Sequence, residues 1–520
     1  MSGDADGAAR FDLRLVPAAL TSWAITAAGI LWSLGLLLTC ICGVAAGVAI
    51  LASRRLAPGT RTVTTVACAA ALTGVGFGIA VTLRDNAVRD HPMVQRVGES
   101  AEVTVLITES PRSVGSGRLL LRADLRLLDN HETRGRVVVF ASAADFAEVT
   151  AGQSVRLRAR VGPPTRRDLT VAVLTAAGSP TVGSATAVQR GAHAVRSRLA
   201  AVGRDVLPPA PAAVLPALVL GDTSTLPPMI VDEFRAAGLT HLTAVSGANV
   251  TIVCGTVLLG AAIVGPRLAV ALAALVLVAF VVVVQPTPSV LRAAVMGAIT
   301  LLAIVSSRRR QAIPALSATV IGVLAVAPQL AVDIGFALSV SATAALVVLA
   351  PAWSRRMVAG GWPKPVADAL CVATAAQLVT APLVAGISGS LSLIAVVANL
   401  VVAPMIAPIT VLGTAAAALC WLWPAGAALL IRFTGPELWW LVQVAHWAAG
   451  IPHATVPVPS GAAGVVVVGV AAVGTALLWR HRSCRLVAAG VVLCLVAWSA
   501  SGCLTGRAAA VSAGRDTIVG

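Results

Sequence analysis

Apolar runs long enough to cross a lipid bilayer recur from residue 16 to residue 501, and only residues 95–186 interrupt the series with a different pattern. A span needs about 20 consecutive apolar residues, because the bilayer core offers no water and the helix must satisfy its own backbone. Residues 16–52 are long enough for two short spans, with a break expected near Trp32–Leu36, and a third follows over 62–83. Beyond the interruption, runs lie at 239–264, 268–285, 289–305, 311–327, 331–351, 366–386, 391–423, 463–479 and 486–501. The 391–423 run is too long for one span, and Pro404 and Pro408 predict two short helices or a broken one. Residues 434–450 carry Glu437, Gln443 and His446 and read as interfacial. Composition agrees: 58% of residues are apolar and 12% charged, where soluble chains sit near half and a quarter, which excludes a soluble globular protein. The expected architecture is a polytopic α-helical membrane protein of about thirteen transmembrane helices with one small soluble domain.

The net charge of +16 is nearly all arginine, Lys364 being the sole lysine. Cytoplasmic loops of membrane proteins, anionic lipid and nucleic acid all favour such a balance, so charge alone does not select DNA. Placing Arg10, Arg14 and the Arg54–Arg61 loop in the cytoplasm puts residue 84 onward outside. Alternating spans then bring Arg267, Arg308–Arg310, Arg355, Arg356, Lys364, Arg480, Arg482 and Arg485 to the cytoplasmic side and leave the C-terminus outside. No cleavable signal peptide is expected, since the first apolar run is too long for one. The nine cysteines sit mainly in apolar runs without metal or CxxC spacing and read as small buried hydrophobes. Two small-xxx-small pairs, Gly43/Gly47 and Gly74/Gly78, suit close helix packing.

Within 95–186 the period changes to two. Leu119, Leu121, Ala123, Leu125 and Leu127 face one way, with Arg118, Arg122, Asp124 and Arg126 opposite. Val155, Leu157, Ala159 and Val161 alternate with Arg156, Arg158 and Arg160, and 102–107, 136–140 and 169–174 alternate likewise. Five short strands in this span fit a small extracytoplasmic OB-like β-barrel. The region holds twelve arginines, nine acidic residues and two aromatics, Phe140 and Phe146. The Arg156/Arg158/Arg160 row is either a track for DNA phosphates or a solvated sheet face. Residues 187–206 place Val188, Ala192, Val195, Leu199, Val202 and Val206 on one side and read as an interfacial helix. The Pro-rich stretch 207–228 is expected to break regular structure.

The segment 217–250 concentrates polar residues at the start of an apolar run. Gly238 reads as a helix C-cap, and a helix from near Thr240 would bring His241, Ser246 and Asn249 within an arc of roughly 140°. Such groups in a span face a protein interior or an aqueous path, or bond helices together. The string Gly238-Leu-Thr-His241-Leu-Thr-Ala-Val-Ser246-Gly247-Ala-Asn249-Val, preceded by Leu220-Gly221-Asp222, resembles the signature of the ComEC family of DNA-uptake channels. Pro288-Ser289-Val-Leu-Arg292-Ala-Ala-Val-Met296 resembles that family's arginine-bearing span. Asp333-Ile-Gly335-Phe336-Ala-Leu338-Ser339 resembles its later polar span, and Asn399 to Pro404 its broken helix.

The resemblance implies an inner (plasma) membrane channel, N-terminus cytoplasmic and barrel outside, that passes single-stranded DNA into the cytoplasm during natural transformation. It implies path-lining or gating roles for His241, Ser246 and Asn249. Arg292 is then a transient partner for a phosphate or the ion-pair partner of Asp333. It also implies an extracytoplasmic DNA receptor and a cytoplasmic ATPase or helicase, since no Walker A, GxGxxG or HExxH pattern appears. The family's longer members end in a metallo-β-lactamase-like domain with an HxHxDH cluster. The seven histidines here show none, which implies a short form, no catalytic residues, no cofactor, and a separate nuclease for any strand degradation. The expected parts are N-terminal helices 1–94, the barrel 95–186, amphipathic helix and linker 187–237, channel domain 238–505 and tail 506–520.

An intramembrane serine protease using Ser246 and His241 is disfavoured, because a GxSG context is missing and the five-residue offset separates the pair. The main alternative is a secondary transporter or flippase for another anionic solute.

Overall fold

The computed structural model of the protein describes residues 12–55, 61–285, 287–305 and 312–478. The expected span 486–501, the Arg308–Arg310 cluster and the tail 506–520 lie outside the described residues. Two compact units divide the chain: Met1–Pro227 with His241–Val347 and Pro404–Trp439, and Pro228–Thr240 with Val348–Ala403 and Trp440–Gly520. Among the described residues six helices are long and apolar enough to cross a membrane: Gly35–Ser53, Thr62–Gln95, Pro266–Val284, Ile334–Ala359, Lys364–Ser388 and Ala395–Leu419. Shorter apolar helices, Val16–Trp32 and Gly247–Gly260 among them, accompany these.

The first helix, Val16–Trp32, ends at Ser33, whose φ of 58° reverses the chain into Gly35–Arg55 within the stretch where a break is expected. Of the two small-residue pairs, one packs. A Cβ on Gly74 would meet Cys42 Sγ at 2.7 Å and Ile25 Cδ1 at 2.8 Å, and one on Gly78 would overlap Thr39, whereas Gly43 and Gly47 have nothing within 4 Å. Gly74→Leu is therefore expected to cost about 1–3 kcal/mol through overpacking and Gly43→Leu almost nothing. Thermal unfolding of the two variants in detergent measures this, and equal midpoints would remove the packing role of Gly74.

The interruption is a closed barrel built from β1 (Ser100–Ile107), β2 (Arg118–Leu128), β3 (His131–Ser142), β4 (Ser154–Gly162) and β5 (Thr170–Val182). Strands pair in the circular order β1-β2-β3-β5-β4-β1, all antiparallel except β3 with β5. That is the connectivity of the OB fold. The β2–β3 hairpin turns on Asp129 (φ 45°) and Asn130 (φ 67°), residue types that, glycine apart, enter the left-handed region most readily. Val103, Val105, Leu121, Leu125, Val139, Val155, Leu157 and Phe146 fill the interior. A bulge between Leu125 and Leu127 shifts the register, so Leu128 and not Leu127 points inward.

Two contacts tie the barrel to helix ends in the same unit. Arg167 donates to the Leu31 carbonyl (2.8 Å), and Gln285 exchanges hydrogen bonds with Ser110 through Oε1 to the backbone N–H (3.1 Å) and Nε2 to Oγ (3.0 Å). The first helix also grips the later polar span: Trp23 Nε1 donates to the Ala331 carbonyl (2.8 Å), and its ring meets Phe336 edge-on at 5.3 Å.

Three local expectations are corrected. Residues 207–228 break regular structure only at 207–208 and 221–227. Between them Pro209–Leu220 is helical and almost wholly buried: Pro209 and Pro211 occupy the first turn, where the N–H groups have no helical partner anyway, and Pro216 inside the helix removes a single backbone donor. The Ala187–Val206 helix buries Arg196, Leu199, Ala200 and Gly203, leaving Val188 exposed, so its inner face is rotated from the apolar stripe. Ala395–Leu419 is one continuous helix despite Pro404 and Pro408, each of which removes a single backbone donor.

Candidate functional site

The Pro209–Leu220 helix ends on Gly221, whose φ of 68° needs a residue without Cβ penalty. Asp222 follows and uses one carboxylate oxygen to accept from the Ser224 N–H (3.1 Å) and hydroxyl (2.6 Å). Its other oxygen meets Arg196 at 3.3 Å, and the arginine side chain is only 7% exposed. This pair explains the rotation of the Ala187–Val206 helix: a buried guanidinium needs its carboxylate, and that demand outweighs the apolar stripe.

In the second unit, the Pro228–Ala236 helix closes with Gly238 at φ +70°. The Gly238 N–H donates to Arg235 O (3.1 Å) and the Leu239 N–H to Phe234 O (2.7 Å), a Schellman-type closure. A Cβ at 238 would collide with the Ala395 side chain and lie 3.1 Å from its Cα. Asn399 Nδ2 donates to the Gly238 carbonyl (3.4 Å) and the Ala395 carbonyl (2.8 Å). Gly238 and Asn399, far apart in sequence, therefore meet.

No α-helix begins near Thr240. Residues Thr240–Leu242 form a single 3-10 turn, and the helix runs Gly247–Gly260 with Ser246 as its N-cap in extended backbone (φ −101°, ψ 167°). A hydroxyl residue before glycine favours a cap over a helix interior. His241 consequently leaves the arc expected for it and is exposed on the turn. Ser246 and Asn249 stay together: the Ser246 hydroxyl donates to Asn249 Oδ1 (3.3 Å), and Asn249 Nδ2 donates to the Leu218 carbonyl (3.0 Å). Asn249 thereby satisfies a carbonyl in the last turn of the Pro209–Leu220 helix, which no helical N–H can reach. The Ser289 hydroxyl donates to Val245 O (2.6 Å) and fastens the turn to the Pro288–Val305 helix.

One turn further along that helix is Arg292, 6% exposed. Its Nε donates to Ser339 Oγ (2.8 Å) and its Nη1 to Thr343 Oγ1 (2.8 Å). Gly247 lies against the same guanidinium, since a Cβ there would sit 3.5 Å from Nη2 and 3.9 Å from Nη1. Among the described residues no acidic side chain pairs with Arg292. Asp333 is engaged elsewhere: it precedes the Ile334–Ala359 helix and accepts from the Phe336 N–H (2.8 Å), so it serves as that helix's cap. Phe336 is fully buried in an apolar cluster with Leu324 and Val340 and packs the core.

The arrangement sets a buried cation against the N-terminus of the Gly247–Gly260 helix, whose first-turn N–H groups carry partial positive charge. Both parts attract an anion, and two hydroxyls with the Met296 sulfur (3.6 Å from Nη1) offset the desolvation of the guanidinium. Beside Ser246 and Asn249 a crevice lined by Leu218, Leu242, Ile406, Ile409 and Thr410 encloses about 10 Å³, space for at most one water. Thr343 escaped sequence reasoning, although its place four residues after Ser339 on one helix face was a signal. Arg196 escaped it too, because its partner is remote in sequence.

The Arg156/Arg158/Arg160 row lies on the outer face of β4. Arg156 is held by Glu102 and by Asn130 Oδ1 (3.1 Å), while Arg158 and Arg160 are exposed. Phe140 stacks under Arg118 at 5.3 Å, and Phe146 is in the barrel core.

A model of the competence protein family matches residues 218–483, about half of the chain. No curated protein and no solved structure matches. The matched region opens at Leu218, whose carbonyl Asn249 binds, and contains the whole Arg292 cluster.

Proposed function

The chain belongs to the competence protein family, and from that premise we propose that it is an inner-membrane channel passing single-stranded DNA into the cytoplasm. Family membership gives it a role in DNA uptake; the channel is our reading. Arg292 carries it: a buried guanidinium with no acidic partner among the described residues, facing a helix N-terminus, suits the transient neutralisation of passing phosphates. The crevice beside Asn249 holds about 10 Å³, so passage at this point would require the segments that line it to separate.

We place the barrel outside the cell in a fold of about thirteen spans. Leu31 and Gln285, which contact the barrel, lie at the C-terminal ends of helices Val16–Trp32 and Pro266–Val284. The next helices, Gly35–Arg55 and Pro288–Val305, then run away from it, toward Arg54–Arg61 and Arg308–Arg310 in the sequence. Arginine-rich connections following such helices in the sequence are what a cytoplasmic face requires. The chain itself is no enzyme on this reading. An outside DNA receptor, a cytoplasmic ATPase or helicase and a separate nuclease complete the system.

The test is deletion of the gene in its host and measurement of DNase-resistant uptake of labelled DNA, with surface binding recorded separately. Retained binding with lost internalisation, restored by the wild-type gene, is expected. Internalisation that persists without the gene would overturn the channel and favour the alternative, a transporter or flippase for another anionic solute.

A further inference from the structure

OB barrels take ligands on the face made by β2 and β3 with the β1–β2 and β4–β5 loops. In this chain that face closes over a cavity of about 510 Å³ against helix ends of the same unit. Arg122 on β2 and Arg134 and Arg136 on β3 line it, with Glu109 and Leu169 from the two loops. From the helical side come Arg84 and His91.

The charges do not cancel. Glu109 is shared by Arg112 (3.4 Å) and Arg122 (3.3 Å). Asp124 also lines the cavity, opposite Arg136 across the β2–β3 pair. Arg84, Arg134 and Arg136 form no ion pair among the described residues, and Arg84 makes one long bond, to the Ala325 carbonyl (3.5 Å). His91 adds an independent sign of a ligand. Its Nδ1 accepts from the Met93 N–H (3.1 Å), which places the proton of the neutral ring on Nε2, and buried Nε2 approaches the Arg134 backbone without a hydrogen bond of normal geometry. The Arg134–Gly135 backbone runs beside it, and a Cβ on Gly135 would come within 3.0 Å of Nε2. A buried polar atom without a partner is rare in a settled structure.

We propose that this cavity is a phosphodiester-binding subsite for a DNA single strand, with Arg134, Arg136 and Arg84 holding the backbone and His91 Nε2–H donating to it. The proposal deepens the channel reading and rests on it. It puts the strand on the β2–β3 face at the helix ends, and not on the β4 arginine row. The volume falls in the ~300–1,000 Å³ range of small-ligand sites, enough for one nucleotide unit and not for a duplex. An anionic lipid headgroup shares the phosphate chemistry, but Arg122, Arg134 and Arg136 stand on the strands, and Glu109 and Leu169 on the loops, that OB barrels use for oligonucleotides.

The test uses the full chain in neutral phosphatidylcholine nanodiscs and a fluorescent oligothymidine read by anisotropy across a salt series. The double variant Arg134→Gln/Arg136→Gln is expected to weaken binding about tenfold or more and to reduce the salt slope by about 1.4, from two phosphate contacts at roughly 0.7 each. Arg156→Gln/Arg158→Gln/Arg160→Gln is expected to bind within about twofold of wild type. Arg134→Lys/Arg136→Lys keeps the charge and is expected to retain most of the binding, which separates lost charge from misfolding. Unchanged binding by the glutamine pair, a larger loss in the β4 triple, or no oligonucleotide binding by the wild type would each overturn the subsite. So would an unchanged oligonucleotide affinity with loss of co-purifying phosphatidylglycerol, which would give the cavity to lipid. Gene-dependent uptake with any of those results leaves the channel standing without this subsite. Loss of gene dependence removes both.

Discussion

Arg292→Gln is expected to lower DNase-resistant uptake by roughly 100-fold, since a charge-assisted hydrogen bond of up to about 3 kcal/mol would be missing as each phosphate passes. Glutamine keeps a polar group that Ser339 and Thr343 can still satisfy, so the amount of protein in the membrane should hold near wild type. Lysine restores the charge without the planar fork and should recover part of the uptake. If Arg292 were only a strut between the Pro288–Val305 and Ile334–Ala359 helices, replacement by methionine would be tolerated, as buried charged groups often are when apolar groups of similar size replace them. Uptake at the wild-type level in Arg292→Gln and Arg292→Met would therefore end the phosphate role. Normal surface DNA binding in the variants is part of the expected result, because Arg292 is buried.

The second large effect is on stability. Gly238→Ala should destabilise the protein by about 2–4 kcal/mol, combining left-handed backbone at φ +70° with a Cβ driven into Ala395. The obstruction includes the Ala395 Cα, so a rotamer change cannot relieve it. Gly247→Ala is the internal contrast: its Cβ would make ordinary contacts with Arg292, and alanine favours the helix, so stability should change by less than about 1 kcal/mol. Thermal unfolding of both in one detergent compares them directly. A Gly238→Ala protein as stable as wild type would mean that the Gly238–Ala395 approach does not exist in solution.

The two glycines also show how far local sequence carries. Gly238 was legible as a helix end because a C-cap is a local event, and the barrel strands were legible because period-two alternation is local too. Membrane helices hide their inner face, since lipid and protein interior are both apolar. Gly43/Gly47 and Gly74/Gly78 read identically, and only the second pair meets a neighbour. Pairings between remote segments had no local trace: Arg196 with Asp222, Asn249 with Leu218, Thr343 with Arg292. The segment Thr243–Ser246 misled because hydroxyl and β-branched residues suit caps and extended backbone as well as helices, and here the cap prevailed.

The crevice between Asn249 and Ile409 has an electrical meaning. A pore wide enough for a DNA strand would, if left open, conduct protons and small ions, and each charge crossing dissipates about 2.3 kcal/mol per 100 mV. The crevice, lined by Leu218, Leu242 and Ile406 among others, holds about 10 Å³ of free space, too little for a hydrated ion. On the channel reading, the strand itself must serve as the plug while it moves, and a closed crevice at this point would spare the ion gradient between transfers.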